Sequence, residues 1–285
     1  MAVKLVTDST AYIDNETQQQ LDITVIPLSV NFQDESFKET EVSYEYFYNK
    51  LADSAAIPTS SQPSPGDFYS AFNRILAQGN AILGIFISAD MSGTCLNALS
   101  ARERILQENP AAQIEILDSR TNSQALGLPV IAAAKAAREG KTLADVAELA
   151  RQMIKRMHFY FVPATLEYLK KGGRIGGAAA LIGSVLNIKP ILYVNQGTVA
   201  VWEKVRGFRS ATERLLRLIE QESQARGITE IVVHHINVPE RASELAHNLS
   251  QRYGLAVPVV PIGPVIGLHV GPGAIGFVFC TERAE

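Results

Sequence analysis

The sequence predicts an α/β protein in two parts: an N-terminal, mostly parallel sheet flanked by helices, then a C-terminal α/β domain with a largely antiparallel sheet. Three observations carry that expectation. As far as residue 157 the chain repeats strand, polar turn and helix, the alternation that builds a parallel sheet with helices on both faces. After His158 the texture changes to short aromatic and branched runs joined by tight turns. A hydrophobic fraction of 47% over 285 residues supplies core for one large or two medium domains.

The elements follow in order. Residues 4–7, 81–88 and 113–118 read as buried strands, and each ends in a small hydroxyl cluster: Asp8-Ser9-Thr10, then Ser88 through Thr94, then Asp118-Ser119-Arg120-Thr121. Helices are predicted at 44–51, 66–78, 95–108, 124–139 and 142–157. In the last of these Leu143, Val146, Ala147, Leu149, Ala150, Met153 and Ile154 make an apolar face behind an N-cap at Thr142. Further on, 159–163, 190–194 and 199–202 read as antiparallel strands, the last two joined by the turn Asn195-Gln196-Gly197-Thr198. Helices at 210–226 and 239–253 flank a strand at 230–235. Residues 256–280 are free of formal charge and long enough to tempt a membrane assignment. Pro258, Pro261, Pro264 and Pro272 with five glycines break any spanning helix, so short strands and loops are expected there. The expected domains are 1–158 and 159–285.

Composition excludes some roles. Lys+Arg number 26 against 29 Asp+Glu, a net charge of -3, which leaves no basic excess for nucleic acid. Cys95 and Cys280 have no metal-like or CxxC spacing and read as buried thiols of a reducing compartment. The N-terminal segment carries Lys4 and Asp8 where a signal peptide needs a long apolar stretch, so a cytoplasmic protein is expected.

The chemistry-bearing features are hydroxyl loops and one histidine. Ser92-Gly93-Thr94 follows the apolar run 81–88 at the carboxyl end of a strand, where open α/β sheets bind ligands. Hydroxyls, backbone N–H groups and a helix N-terminus suit a carboxylate or phosphate there, and a plain helix cap is the alternative. Ser60 and Ser61 lie in a second hydroxyl loop, 57–66, stiffened by Pro58, Pro63 and Pro65; a solvated turn is its alternative reading. His269 sits among glycines, a crowding that implies backbone packed closely against something, although a lone imidazole is more often a satisfied core residue. His234 and His235 end a strand with one ring expected to face inward, in a structural role, and His158 is incidental. A nucleophile elbow, a phosphate-binding loop and a metal-type ligand spacing are all missing, so the site reads as a binder more than a catalyst, with no metal and no cofactor.

Seven blocks then fall in order along the chain: Asp8-Ser9-Thr10, Ser60-Ser61-Gln62-Pro63-Ser64-Pro65, Ser92-Gly93-Thr94, Asp118-Ser119-Arg120, the run from Thr165 to Ile175, the run from Leu186 to Leu192, and His269-Val270-Gly271-Pro272-Gly273-Ala274. Their succession closely resembles the DegV family. Members of that family are bacterial fatty acid-binding proteins that deliver the acid to a separate ATP-binding kinase subunit, which makes acyl phosphate for phospholipid synthesis. The resemblance implies a non-catalytic subunit with its ligand site between the two domains. It places the carboxylate on Ser60, Ser92 and His269, with Ser61, Gly93 and Thr94 as further loop residues. Two basic clusters, Lys170, Lys171 and Arg174, and Lys204, Arg206 and Arg209, read as contacts to an acidic kinase surface, anionic lipid or acyl phosphate, with Arg174 and Arg206 as the candidates and a solvated surface as the alternative. Two positions depart from the family pattern: Ser60 and Val270 stand where threonine is common. Serine keeps the hydroxyl but frees its rotamer. Residues 176–186, small and aliphatic, read as a tunnel wall or as an ordinary buried helix. The competing readings are a stand-alone small-molecule kinase or hydrolase acting through Ser92 or His269, and a lipid sensor without a kinase partner.

Overall fold

The structure, a computed structural model, describes residues 1–181 and 188–284, with Ile188 by its backbone alone. In chain order the strands are β1 (Val3–Asp8), β2 (Ile23–Ile26), β3 (Ser29–Asn31), β4 (Ser36–Lys38), β5 (Thr59–Ser61), β6 (Ala81–Phe86), β7 (Ile114–Asp118), β8 (Met157–Val162), β9 (Ile188–Asn195), β10 (Thr198–Arg206), β11 (Ile228–His235), β12 (Val259–Pro261) and β13 (Ile275–Thr281). The α-helices are α1 (Asn15–Leu21), α2 (Tyr44–Asp53), α3 (Pro65–Leu76), α4 (Thr94–Glu108), α5 (Gln124–Arg138), α6 (Leu143–Ile154), α7 (Glu167–Lys171), α8 (Phe208–Arg226), α9 (Pro239–Tyr253) and α10 (Pro264–Val270). Two compact units divide the chain. The first comprises Met1–Asn31, Glu35–Glu41 and Ser60–Ile154; the second comprises Phe32–Asp34, Val42–Thr59 and Lys155–Glu285.

In the first unit β2-β1-β6-β7 form a parallel sheet. Every residue of β6 is buried, as a strand covered on both faces requires. Phe68, Phe72 and Ile75 of α3 and Cys95, Ala98, Ala101 and Ile105 of α4 pack against Val6, Ile82 and Phe86 of the sheet. Helices α5 and α6 also pack on it. α3 begins with a reciprocal cap, Ser64 receiving the Asp67 amide and Asp67 receiving that of Ser64, with Pro65 in the first turn. Thr142 caps α6 by accepting from the Asp145 amide at 3.2 Å, as the sequence predicts. From β1 the chain moves to β2 on one side, and from β6 to β7 on the other. The topological switch point therefore lies between β1 and β6, the place where open α/β sheets bind ligands beyond their carboxyl ends. A small sheet, β4-β3-β5, carries the segment with Ser60 and Ser61.

The second unit is built on a six-stranded sheet, β10-β9-β8-β13-β11-β12, antiparallel except for the β11–β12 pair. Leu215, Leu218 and Ile219 of α8 and Leu245, Ala246 and Leu249 of α9 bury against Val162, Ile191, Ile231, Val233, Phe277 and Phe279. The β9–β10 hairpin turns through Gln196 and Gly197, both at positive φ (45° and 92°), the two-residue turn that matches strand twist. α6 stops at Ile154 rather than continuing to Met157, because Met157 pairs with Cys280 in the sheet. Residues 256–280 contain β12 and most of β13, and between them the short helix α10 where only strands and loops are expected. Its Pro264 fits the first helical turn and Gly271 closes it at φ 83°. A 3-10 helix covers Gly176–Leu181, while 182–186 of the predicted tunnel wall lie outside the described residues. Among the described residues no helix is long and apolar enough to cross a membrane.

Candidate functional site

Three loops leave the carboxyl edge of the parallel sheet and interlock. Asp8, the last residue of β1 and wholly buried, accepts from the amide of Ile87 at 2.8 Å, from the amide of Thr10 at 2.9 Å and from the Thr10 hydroxyl. It thereby ties the end of β1 to the loop after β6, across the switch point. Burial raises its pKa, and the donors from Ile87 and Thr10 act against that rise. The loop after β7 locks onto the same segment: the amide of Ser88 donates to Thr121 O at 2.9 Å, and that of Ser119 to Phe86 O at 3.0 Å. Arg120 pairs with Asp90 at 2.8 Å.

Ser92 stands at the centre of this arrangement. Its Oγ lies 2.8 Å from the hydroxyl of buried Thr94 and accepts weakly from the Thr94 amide at 3.4 Å. When Thr94 donates, Ser92 keeps its own proton for an outside acceptor. Helix α4 starts immediately after, and Gly93 gives it no side-chain cap. A Cβ on Gly93 would come 2.5 Å from Nε2 of Gln62, so the end of that side chain lies close against the turn. That contact and the bond from Asn97 Nδ2 to Pro63 O, 2.8 Å, bring the Ser60–Ser61 segment to the Ser92 loop. Ser61 accepts from Asn31 Nδ2 at 2.7 Å, which fixes β5 beside β3. Both hydroxyl loops singled out in the sequence thus meet within the first unit. Gln62 and Asn97 were not foreseen, although a glycine between two hydroxyl residues signals a close approach.

His269 and Arg174 belong to the second unit. His269 is buried in α10, and a Cβ on Gly172, just past α7, would collide with its Nδ1. Gly267 is likewise occupied on its open side by the Tyr48 hydroxyl, and Gly271 by the ring of Tyr168. The glycine crowding in the sequence therefore reports two aromatic side chains set against α10. Tyr48 donates to Ile262 O at 2.8 Å, anchoring the entry to the helix. Burial, with a smaller contribution from the Arg174 charge, pushes the His269 pKa down to about 4. The ring is neutral near pH 7 and carries one N–H to donate. Arg174 is exposed beside this helix pair and donates to Gly172 O at 2.8 Å, and Arg206 is exposed at the end of β10.

One expectation about histidines changes. His234 and His235 are both buried, because the last five residues of β11 are all covered. His234 Nδ1 sits 2.8 Å from Val260 O, and burial lowers its pKa to about 4. His158 stacks on Phe279 with ring centres 4.8 Å apart. Cys95 and Cys280 are free and buried, and burial pushes the Cys95 thiol up to about 12.

Comparison with known proteins gives the arrangement a context. The family model described as "Uncharacterised protein, DegV family COG1307" matches residues 2–282. The chain belongs to the DegV family. A DegV domain-containing protein of Clostridium acetobutylicum is 45% identical over 283 residues, covering 99% of each chain. Among solved structures, a DegV-family protein of Thermus thermophilus, described as binding fatty acid, matches with a TM-score of 0.89 at 31% identity, over 99% of this chain and 100% of that one. DegV of Bacillus subtilis, described as a fatty acid binding protein, matches with a TM-score of 0.87 at 32% identity, over 99% of each. The parallel sheet and the largely antiparallel sheet are thus the DegV fold, and DegV homologues bind fatty acids.

Proposed function

We propose that this DegV protein binds a long-chain fatty acid in an apolar tunnel and presents its carboxylate to a separate ATP-dependent kinase subunit, which forms acyl phosphate for phospholipid synthesis. In this reading the chain is a non-catalytic cytoplasmic carrier that meets the membrane surface transiently. Ser60, Ser92 and His269 hold the carboxylate, Ser61, Gly93 and Thr94 complete the loop, and Arg174 and Arg206 meet the partner or its phosphate. The observation that carries it is the Ser92–Thr94 hydroxyl pair, 2.8 Å apart, at the switch point. With Thr94 as the donor, that pair leaves the Ser92 proton for a ligand oxygen, and a hydroxyl is no base to make Ser92 a nucleophile.

Magnitudes divide the labour. Burying about fourteen methylenes at ~0.8 kcal/mol each gives roughly 11 kcal/mol of gross driving force, and each hydrogen bond to a carboxylate adds ~1.5–3 kcal/mol. The acyl chain then sets affinity and the hydroxyls set orientation. Two measurements test this. Denaturing the purified protein from a lipid-making host should release an acyl chain visible by mass spectrometry; an empty extract counts against the carrier reading. The isolated chain should turn over neither ATP nor esters, whereas turnover would favour a stand-alone kinase or hydrolase.

A further inference from the structure

The loop after β7 carries side chains that the binding site does not use but that all lead towards it. Ser123 is wholly buried and held at φ 55°, ψ −149°, a backbone region that residues with a Cβ rarely occupy. Its hydroxyl donates to Asn122 Oδ1 at 2.9 Å. Asn122 is buried too, and with its oxygen so engaged its amide nitrogen faces Met91 Sδ at 3.0 Å. Met91 is the immediate neighbour of Ser92. Arg120, also at positive φ, reaches Asp90 on the other side of Met91. Strained backbone persists only where its surroundings over-determine it; here Ser123 is held by Asn122 and by the amides of Leu126 and Gly127, and Asn122 in turn reaches the segment that presents Ser92.

We propose that Asn122, oriented by the Ser123 hydroxyl, is a positioning residue that sets Met91 and through it Ser92, and so determines how strongly the site prefers a free carboxylate to an uncharged head group. The inference rests on the carboxylate-binding reading of Ser92 and deepens it. Sulfur is a weak acceptor, so the contact acts through geometry more than strength. It fills the space behind Met91 with a polar side chain that has a single satisfied orientation. Replacing it leaves Met91 free to change rotamer and the Ser92 hydroxyl free to turn from the ligand.

The experiment compares palmitic acid with methyl palmitate as probes. Their acyl chains are the same, and only the acid offers a carboxylate. Asn122→Leu, with the same branching at Cγ and no amide, should weaken palmitic acid binding about 5- to 10-fold while leaving the ester within about twofold. Ser123→Ala and Met91→Leu perturb the same relay from its two ends and should move the acid-to-ester ratio in the same direction. The Asn122→Leu/Met91→Leu double variant should lose no more than the larger single change, since both act on one contact. A ratio that stays at the wild-type value in all three single variants overturns the proposal, as does an equal loss for acid and ester, which marks a purely structural role. Should Asn122→Leu fail to fold, Ser123→Ala and Met91→Leu decide alone by the same criterion. Wild-type protein that binds neither probe refutes the fatty acid reading itself. One that binds both equally refutes the carboxylate assignment while leaving acyl-chain binding intact.

Discussion

At the scale of single residues the site depends on protons. Ser92 has one hydroxyl hydrogen, and the pairing with Thr94 decides where it points. Ser92→Ala should therefore weaken fatty acid binding by about 1.5–3 kcal/mol, on the order of 10- to 100-fold, with little change in melting temperature. Calorimetric titration checks this, and an unchanged affinity removes Ser92 from the carboxylate. His269 contributes differently. Burial keeps it neutral near pH 7, so in the proposed role it would offer one N–H without bringing a positive charge. Gly172→Ala puts a methyl group where Nδ1 of His269 sits. It should cost about 1–3 kcal/mol of stability and displace the imidazole. Urea unfolding and ligand titration together report both effects. The hydroxyl loop at Ser92 was readable in the sequence as a turn between strand and helix, because an apolar run stops there at small polar residues. The Asn122–Met91 contact was not, because 31 residues separate the two and only the pairing of β6 with β7 brings them together.

Among elements, those whose pattern matches their packing were legible. The amphipathic helices α3 and α6 and the strands β1, β6 and β7 lie close to where hydrophobic periodicity places them. α1 escaped because no residue on it is buried, leaving the Asp14–Thr17 cap as its only signal. α10 escaped for the opposite reason, since every residue but two is buried and a glycine sits at its centre. Local propensity does not make this helix; its neighbours do. Tyr48 of α2 is the test of that statement. Tyr48→Phe keeps the ring and removes the donor to Ile262 O, so it should destabilise the fold by about 1 kcal/mol. It should also loosen the helix that carries His269, weakening ligand binding. Wild-type stability in the variant would show that α10 holds its place without this anchor.

For the whole molecule, pH is the informative variable. His234 and His269 have folded pKa values near 4, below the ordinary 6.5. Between those limits the unfolded chain takes up protons that the folded one refuses, so stability is full above about pH 6.5 and declines as pH falls towards 4. Each histidine contributes up to about 3 kcal/mol to that loss. His235, also lowered by burial, acts in the same direction. Asp8 opposes it: its raised pKa means the folded state binds its proton more readily, so its contribution grows as pH falls. An Asp8→Asn variant removes the opposing carboxyl. Urea midpoints of that variant, free of ligand, should fall steadily from about pH 7 to about pH 4.5, and a flat profile contradicts the burial of these rings.

The buried carboxylate at the end of β1 also sets a timescale. Buried Asp8 accepts the amide hydrogens of both Ile87 and Thr10, so releasing either to solvent requires the edge of the sheet to open. In deuterated water those two amides should exchange together and slowly, at a rate set by disruption of the whole sheet edge. The loop after β6 is then tied to β1 in advance, so that a ligand taken up at this edge in the proposed way would meet a segment that is already ordered.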